Sequence, residues 1–222
     1  MEYRAYDLII FDLDGTLIDN RDAIVHAYKE MLAEFGYKSP PVEWIYTRIG
    51  LPLDGTFRII SNNAGEEVVG RMVDSFRDHY LRECDNGVRM LDGAKELLTY
   101  LKDNRFKVGL ATTKGDAGVK ELLRRMKIDH LFDLAVGLTS EFRPKPDPSM
   151  LLYIMDKLSV DRSRTMFVGD TPVDVAAARN ARVKSVAVAT GIDIGATTLR
   201  ELKASDPDIM VQNIMDVTSY LY

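Results

Sequence analysis

Two aspartates separated by one residue follow a short apolar run near the start of the chain. Asp12 and Asp14 come after the run 8–11 and directly before Gly15. On one face of a strand the two carboxylates would repel each other unless a cation or a shared proton relieved the charge. The glycine predicts a tight turn at the strand's carboxyl end, where ligands bind in an open parallel sheet. The pattern suits Asp12 as a nucleophile, Asp14 as its acid–base partner and a hard divalent cation beside them.

Further polar residues lie just after later predicted strands, at positions that share one rim in a doubly wound sheet. We therefore expect their side chains to converge with the two aspartates, although they are far apart in the sequence. They are Thr112 and Thr113 after one strand, Lys145 in a loop framed by prolines, and Asp170 with Asp174 after another strand.

This convergent set indicates phosphoryl transfer supported by a hard metal ion. Carboxylates from Asp12, Asp14 and Asp170 suit Mg²⁺ better than zinc or copper. The Thr112 hydroxyl and the Lys145 ammonium can both bind phosphoryl oxygens and stabilise charge as it moves. A carboxylate nucleophile would form an aspartyl-phosphate that water hydrolyses, while Asp14 first donates a proton and then accepts one.

Strands and helices alternate over most of the chain, and the alternation predicts which element carries each polar residue. It is typical of an α/β fold with a doubly wound, Rossmann-like parallel sheet. The predicted strands are 6–11, 106–111, 134–137, 165–168, 184–189 and 209–211. The predicted helices are 19–35, 92–104, 115–126, 149–158, 172–181, 196–203 and 213–221.

One long stretch, 42–84, departs from the alternation because its pattern predicts helices in three pieces without a strand. We interpret it as part of a helical cap that is inserted after the first strand. Asn86-Gly87 is the predicted return hinge, since both residues favour turns. The resulting division is a catalytic core of residues 1–16 and 87–222, and a cap of residues 17–86.

Composition and charge exclude several classes of protein. The 222 residues include 46% hydrophobic residues and carry a net charge of −5, which is ordinary for a globular protein. No basic excess indicates a nucleic-acid surface, and no apolar run nears the roughly 20 residues that cross a membrane. The single cysteine, Cys84, and the polar start of the chain favour a cytoplasmic location. The expected partner is a small phosphorylated metabolite, and the sequence indicates no oligomeric state.

The run 12–16, Asp-Leu-Asp-Gly-Thr, resembles the first motif of the haloacid dehalogenase superfamily. Thr112 is similar to its second motif and Lys145 to its third, and Gly169-Asp170 with Asp174 is similar to its fourth. The helical insertion and the run 112–114, Thr-Thr-Lys where Thr-Asn-Lys is common, resemble the phosphoglycolate phosphatase-like branch.

The resemblance implies a Rossmann-like core, a mobile helical cap and Mg²⁺-dependent hydrolysis of phosphomonoesters, with phosphoglycolate as a candidate substrate. It implies that Asp12 is the nucleophile and a metal ligand. Asp14 would bind the metal through its backbone carbonyl, and Asp170 would complete the metal site.

The resemblance also implies roles around the substrate phosphate. Thr112, Thr113 and Lys145 would bind it, and Asp174 would orient Lys145 or a metal-bound water. Structural roles are the alternative for two of these residues. Thr112 could cap a helix, and Asp174 could be a first-turn charge that the helix dipole favours.

Two alternative functions stay open beside hydrolysis. A sugar phosphate mutase of the β-phosphoglucomutase type holds a second phosphate with a cap arginine shortly after a glycine, whereas 51–53 after Gly50 reads Leu-Pro-Leu. A non-enzymatic phospho-acceptor or binding protein on the same fold is the second alternative. The complete set of motif residues favours catalysis.

Overall fold

Parallel strands form the central sheet of the protein, which we describe from a computed structural model of residues 4–190 and 197–222. The strands are β1 Leu8–Phe11, β2 Ile18–Asp19, β3 Arg89–Met90, β4 Lys107–Gly115, β5 Leu134–Leu138, β6 Thr165–Gly169, β7 Lys184–Val188 and β8 Ile209–Val211. Six of them form one parallel sheet in the order β5-β4-β1-β6-β7-β8. The predicted α/β fold is confirmed.

The central strand β1 is buried along its whole length, because helices cover both faces of the sheet. Side chains alternate along a strand, so Ile9 and Phe11 join one hydrophobic cluster while Leu8 and Ile10 join another. The strand is paired on both sides, with β4 and with β6. Its carboxyl end therefore opens at the middle of the rim.

Helices lie over the two faces of this sheet and in a segment between β2 and β3. They are α1 Arg21–Glu34, α2 Val42–Tyr46, α3 Leu53–Ile60, α4 Glu66–Gly87, α5 Ala94–Asp103, α6 Asp116–Arg125, α7 Ser149–Leu158, α8 Pro172–Ala181 and α9 Leu199–Ala204. Short 3₁₀ helices cover Asp129–Leu131, Arg162–Arg164 and Ile214–Tyr220. Among the residues described, no helix has both the length and the apolar character of a membrane span.

Most predicted elements agree with the structure to within a few residues. The last one is wrong in type, because the predicted helix 213–221 is a 3₁₀ helix. The predicted helix 196–203 corresponds to α9, but its first residue and the loop predicted from Gly191 lie outside the described residues.

Helices α1 to α4 form a four-helix segment between β2 and β3, as the three predicted helical pieces indicated. Its centre is aromatic. The rings of Tyr28, Phe57 and Phe76 pack edge to face, with centroids 5.1 to 5.7 Å apart, a favourable arrangement for aromatic side chains. This packing gives the segment a hydrophobic interior that continues into the core below it.

The return from the four-helix segment differs from the prediction. Gly87 is the last residue of α4 rather than a hinge, and a Cβ there would lie 2.8 Å from the backbone nitrogen of Ala23 in α1. The glycine therefore permits close helix packing. The connection is instead an antiparallel ribbon of β2 and β3, in which Asp19 faces Arg89. Hydrogen bonds from Arg21 and Arg89 lower the pKa of Asp19 to about 2, despite its burial.

Candidate active site

A lysine held between two carboxylates lies at the centre of the rim. Lys145 reaches it from the loop between β5 and α7, and its side chain is only 5% exposed. Its Nζ lies 2.6 Å from Oδ1 of Asp12, directly after β1, and 2.6 Å from Oδ1 of Asp174 in α8. Three separate parts of the sequence therefore meet at one point, as the shared-rim argument predicted.

Asp174 is fixed by the turn that starts α8. Its Oδ2 accepts hydrogen bonds from the Thr171 N–H at 3.1 Å and from the Thr171 hydroxyl at 2.6 Å. A Cβ at Gly169 would lie 2.3 Å from the Asp174 Cβ, so only glycine permits this approach. Asp174 thus combines both roles considered from the sequence, because it stabilises the start of α8 and also holds Lys145.

Asp170 completes the group with one oxygen unpaired. Its Oδ1 accepts a hydrogen bond from the Thr16 hydroxyl at 2.7 Å, whereas Oδ2 is buried and has no partner among the described residues. One carboxylate oxygen from each of Asp12, Asp170 and Asp174 lies within 4.8 Å of the others. We call these three aspartates and Lys145 the Lys145 cluster.

The Lys145 cluster holds more negative than positive charge. Burial raises the pKa of Asp12 to about 7, although Lys145 acts in the opposite direction. Burial and the neighbouring Asp174 and Asp12 raise the pKa of Asp170 well above its ordinary value. Burial alone would lower the Lys145 pKa, but the two carboxylates beside it raise it, so the lysine is charged. Because one lysine faces three carboxylates, this donor set fits a hard divalent cation.

The Asp14 side chain has other partners. Its Oδ1 accepts a hydrogen bond from Asn20 Nδ2 at 2.7 Å, and Lys114 Nζ lies 3.3 Å from its Oδ2. The same Asn20 nitrogen donates to the hydroxyl of Tyr80 at 2.9 Å, and Lys114 Nζ lies 4.2 Å from the centroid of the Tyr80 ring. We call these four residues the Lys114 cluster. Asp14 as a metal ligand stays a prediction.

Sequence reasoning did not assign roles to Asn20, Tyr80 and Lys114. A weak signal for Lys114 was its place two residues after Thr112, at the end of a strand. Tyr80 gave no such signal, because it reads as one of several apolar residues on α4.

The two threonines in β4 differ in their contacts. Thr112 is buried, and its hydroxyl accepts a hydrogen bond from the Lys114 N–H at 3.2 Å. The Thr113 hydroxyl donates to the carbonyl of Gly50 at 2.6 Å, and Gly50 lies between α2 and α3. Thr113 therefore connects the core to the four-helix segment, and its role in phosphate binding stays a prediction.

A cavity of about 510 Å³ separates the four-helix segment from the rim. Asp14, Thr113 and Lys114 line its floor. Residues of α1, α3, α4 and the loop 48–52 line it from the four-helix segment, and Gly115, Leu138 and residues of α6 complete the lining. Its size is in the range of small-molecule sites. The rim thus carries a charged cluster beside a space for a ligand.

The sequence matches the family described as haloacid dehalogenase-like hydrolase over residues 9–188. This range includes the sheet from β1 to β7, the four-helix segment and both lysine clusters. The chain therefore belongs to the haloacid dehalogenase-like hydrolase family, and the predicted superfamily is confirmed.

Similar proteins indicate the branch of the family. A pyrophosphatase, PpaX, from Bacillus velezensis is 34% identical over 94% of this chain and 93% of its own length. A phosphoglycolate phosphatase from Pseudomonas fluorescens is 31% identical over 93% of this chain and 76% of its own length. The structure of a hydrolase from Pseudomonas syringae is 25% identical, with a TM-score of 0.80 over 97% of both chains. The predicted phosphoglycolate phosphatase-like branch and the phosphatase class of enzyme are confirmed.

Proposed function

We propose that this protein is a Mg²⁺-dependent hydrolase of phosphomonoesters that acts on a small phosphorylated metabolite. The observation that carries the proposal is the Lys145 cluster, where Lys145 contacts Asp12 and Asp174 at 2.6 Å beside the unpaired oxygen of Asp170. A carboxylate that is held at a fixed point beside a lysine suits attack on a phosphorus atom once a cation offsets the remaining negative charge.

In the first step, a carboxylate oxygen of Asp12 attacks the phosphorus and forms a new P–O bond. The bond between phosphorus and the substrate alcohol breaks, and its electron pair moves to the leaving oxygen. Asp14 gives a proton to that oxygen, so a neutral alcohol leaves. Lys145 and Thr112 hold the phosphoryl oxygens during this transfer.

In the second step, water attacks the phosphorus of the aspartyl-phosphate on Asp12. Asp14, which is now a carboxylate, accepts a proton from this water. The P–O bond to Asp12 breaks, so inorganic phosphate leaves and the Asp12 carboxylate is restored. The Lys114 cluster supports this proposal because Asn20 and Lys114 hold the Asp14 carboxylate from two sides.

The carboxylates of Asp12 and Asp170 and the backbone carbonyl of Asp14 are the groups proposed to hold Mg²⁺. Bound there, the ion would offset the surplus negative charge and polarise a phosphoryl oxygen. The unpaired Oδ2 of Asp170 and the raised pKa of Asp12 and Asp170 support this assignment.

Residues 17–86 are proposed to act as the cap over a catalytic core of residues 1–16 and 87–222. The cap would exclude bulk water and select the substrate. Hydrogen bonding between Thr113 and Gly50 supports a closed arrangement of the two parts. Phosphoglycolate is the candidate substrate taken from the sequence, and relatives named phosphoglycolate phosphatase support it as a test compound.

The test is release of inorganic phosphate from ethyl phosphate and phosphoglycolate, with Mg²⁺ and with EDTA. We expect turnover with Mg²⁺, none in EDTA and full recovery when Mg²⁺ is added back. Asp12→Asn should lower turnover by about 10³-fold or more, because an amide is a poor nucleophile. Asp156→Asn is the matched control, since Asp156 is exposed on α7.

Turnover near the wild-type level in Asp12→Asn would contradict the mechanism, and turnover that survives EDTA would contradict the metal assignment. A stable phosphoprotein without phosphate release would favour the phospho-acceptor. An isomerised sugar phosphate product would favour the mutase.

A further inference from the structure

The cavity beneath the four-helix segment lies on the side of the proposed site where the alcohol would leave. It is lined at its floor by Asp14, which is proposed to protonate the leaving alcohol. Asp12, Thr112, Lys145 and Asp170, which face the phosphoryl group, do not line it. The cavity is therefore the place for the alcohol part of the substrate, and its chemistry indicates which alcohol fits.

The walls of the cavity are mostly apolar. Aliphatic and aromatic side chains come from α1, from the turn before α3, from the start of α3 and from α4. They include Ile24, Leu51, Leu53, Val73, Phe76 and Leu81. Each apolar group of a substrate that is buried against these side chains strengthens binding, whereas a substrate too small to cover them leaves them in contact with water.

The charged residues of the lining do not form a site for a second anion. Basic and acidic side chains balance, because Arg48, Arg77 and Lys114 are accompanied by Asp14, Asp54 and Asp78. The basic groups also have contacts of their own. Lys114 Nζ lies 3.3 Å from Asp14, the Arg48 guanidinium lies 4.2 Å from the centroid of the Trp44 ring, and Arg77 lies 3.6 Å from Asp74.

We propose that the site selects phosphomonoesters whose alcohol carries an apolar body of aromatic or medium alkyl size. Small substrates with a second anionic group, such as phosphoglycolate and pyrophosphate, are poor by comparison. The inference rests on the proposed hydrolase function and refines its substrate class. A volume of about 510 Å³ supports it, because phosphoglycolate would leave most of that space unfilled.

The test compares kcat/KM in Mg²⁺ for ethyl, butyl, hexyl and benzyl phosphate and for phosphoglycolate. The leaving alcohols of the first four compounds have nearly equal acidity. Differences in kcat/KM among them therefore report how the alcohol fits the cavity rather than how easily it leaves. We expect kcat/KM to rise about two- to fourfold for each added methylene. Hexyl and benzyl phosphate should exceed phosphoglycolate by at least about tenfold.

Two variants connect this preference to the cavity. In Leu51→Asn/Leu53→Asn, two walls become polar, and the advantage of hexyl over ethyl phosphate should fall about tenfold. Ile59→Asn is the matched control, because Ile59 lies on α3, is 65% exposed and does not line the cavity. It should keep the wild-type preference. The turnover of ethyl phosphate and the melting temperature of each variant show that the fold is intact.

The outcomes separate the two proposals. A series that is flat or falls with chain length, with phosphoglycolate best, would overturn the apolar preference and leave the hydrolase function standing. An equal loss of preference in the double variant and in Ile59→Asn would overturn the assignment to the cavity. No hydrolysis of any of the five compounds in Mg²⁺ would overturn both proposals.

Discussion

Two lysines hold carboxylates on either side of the end of β1, and the two clusters differ in charge and in origin. The Lys145 cluster has three carboxylates for one lysine, and none of these residues belongs to the four-helix segment. The Lys114 cluster pairs one carboxylate with one lysine, and its Tyr80 comes from α4 of the four-helix segment. One cluster is therefore left with surplus charge, whereas the other is balanced.

The difference teaches how neighbouring carboxylates acquire separate tasks. A buried surplus of carboxyl groups favours binding of a cation, which can in turn attract a phosphate. A balanced cluster holds its carboxylate in place without such help. The contrast leads to four predictions.

The largest effect on turnover is expected when Asp14 in the Lys114 cluster is replaced by a residue that cannot donate or accept the proton. Asp14→Asn should lower steady-state phosphate release from ethyl phosphate by about 10²- to 10⁴-fold. With p-nitrophenyl phosphate, whose leaving group needs no proton, a burst of nitrophenolate equal to the enzyme should precede a slow steady state. Rapid-mixing absorbance measures both phases. An absent burst with slow turnover would place Asp14 in the first step for every leaving group.

Removal of each lysine tests the difference in charge directly. Lys145→Met should cost about 3–5 kcal/mol of unfolding free energy in EDTA, because three carboxylates lose their buried counter-charge. Lys114→Met should cost about 2 kcal/mol, since one carboxylate is affected and Asn20 still holds it. Urea unfolding with and without Mg²⁺ measures both. Mg²⁺ should reduce the stability difference from the wild type in Lys145→Met but not in Lys114→Met. An equal reduction in both variants would contradict the proposed difference in charge between the two clusters.

The pH dependence of stability should reflect the surplus charge. The pKa of Asp12 is about 7 in the folded protein against an ordinary 3.8, so the folded state binds the proton more tightly. Without metal, stability should therefore fall as the pH rises from 3.8 to about 7. Asp170→Asn removes a buried carboxyl group whose pKa is raised and should raise metal-free stability at pH 8 by on the order of 1–3 kcal/mol.

Thermal unfolding in EDTA at several pH values measures this effect. At pH 4 the advantage of Asp170→Asn should be small, because the native carboxyl group, whose pKa is raised, is then protonated. An Asp170→Asn variant that is less stable than the wild type at pH 8 would contradict this prediction, because the Asp170 carboxyl group would then stabilise the metal-free protein.

The smallest effect concerns the contact between the two parts of the molecule. Thr113→Val removes the hydrogen bond to the Gly50 carbonyl, which contributes about 1 kcal/mol. The loss should change KM several-fold with little change in kcat. Thr113→Ser keeps the hydroxyl and should resemble the wild type. Steady-state kinetics measures the split. A loss confined to kcat would instead support the predicted contact of Thr113 with phosphate.

Features that depend on local chemistry could be predicted from the sequence. The bounds of α7 and α8 match the predicted 149–158 and 172–181, because prolines fix where both helices begin. The meeting of Asp12, Lys145 and Asp174 followed from one rule, that the carboxyl ends of parallel strands share a rim.

Features that depend on docking between distant elements could not be predicted. The ribbon of β2 and β3 has two residues in each strand, too few for an alternating pattern. The Lys114 cluster requires α4 to bring Tyr80 to the end of β1, which no local signal reports. Gly87 favours a turn in isolation, and only the approach of Ala23 explains it within a helix.

The central position of β1 also has a consequence for synthesis of the protein. The strand is made well before the strands beside it, because Leu8 pairs with Lys107 and Thr165. Until then an apolar strand with two open edges must be kept from aggregating. Helices α1 and α4 are closer in sequence and can pack earlier. Until α8 has been made, Lys145 therefore lacks Asp174, which is one of the two carboxylates that it contacts in the folded protein.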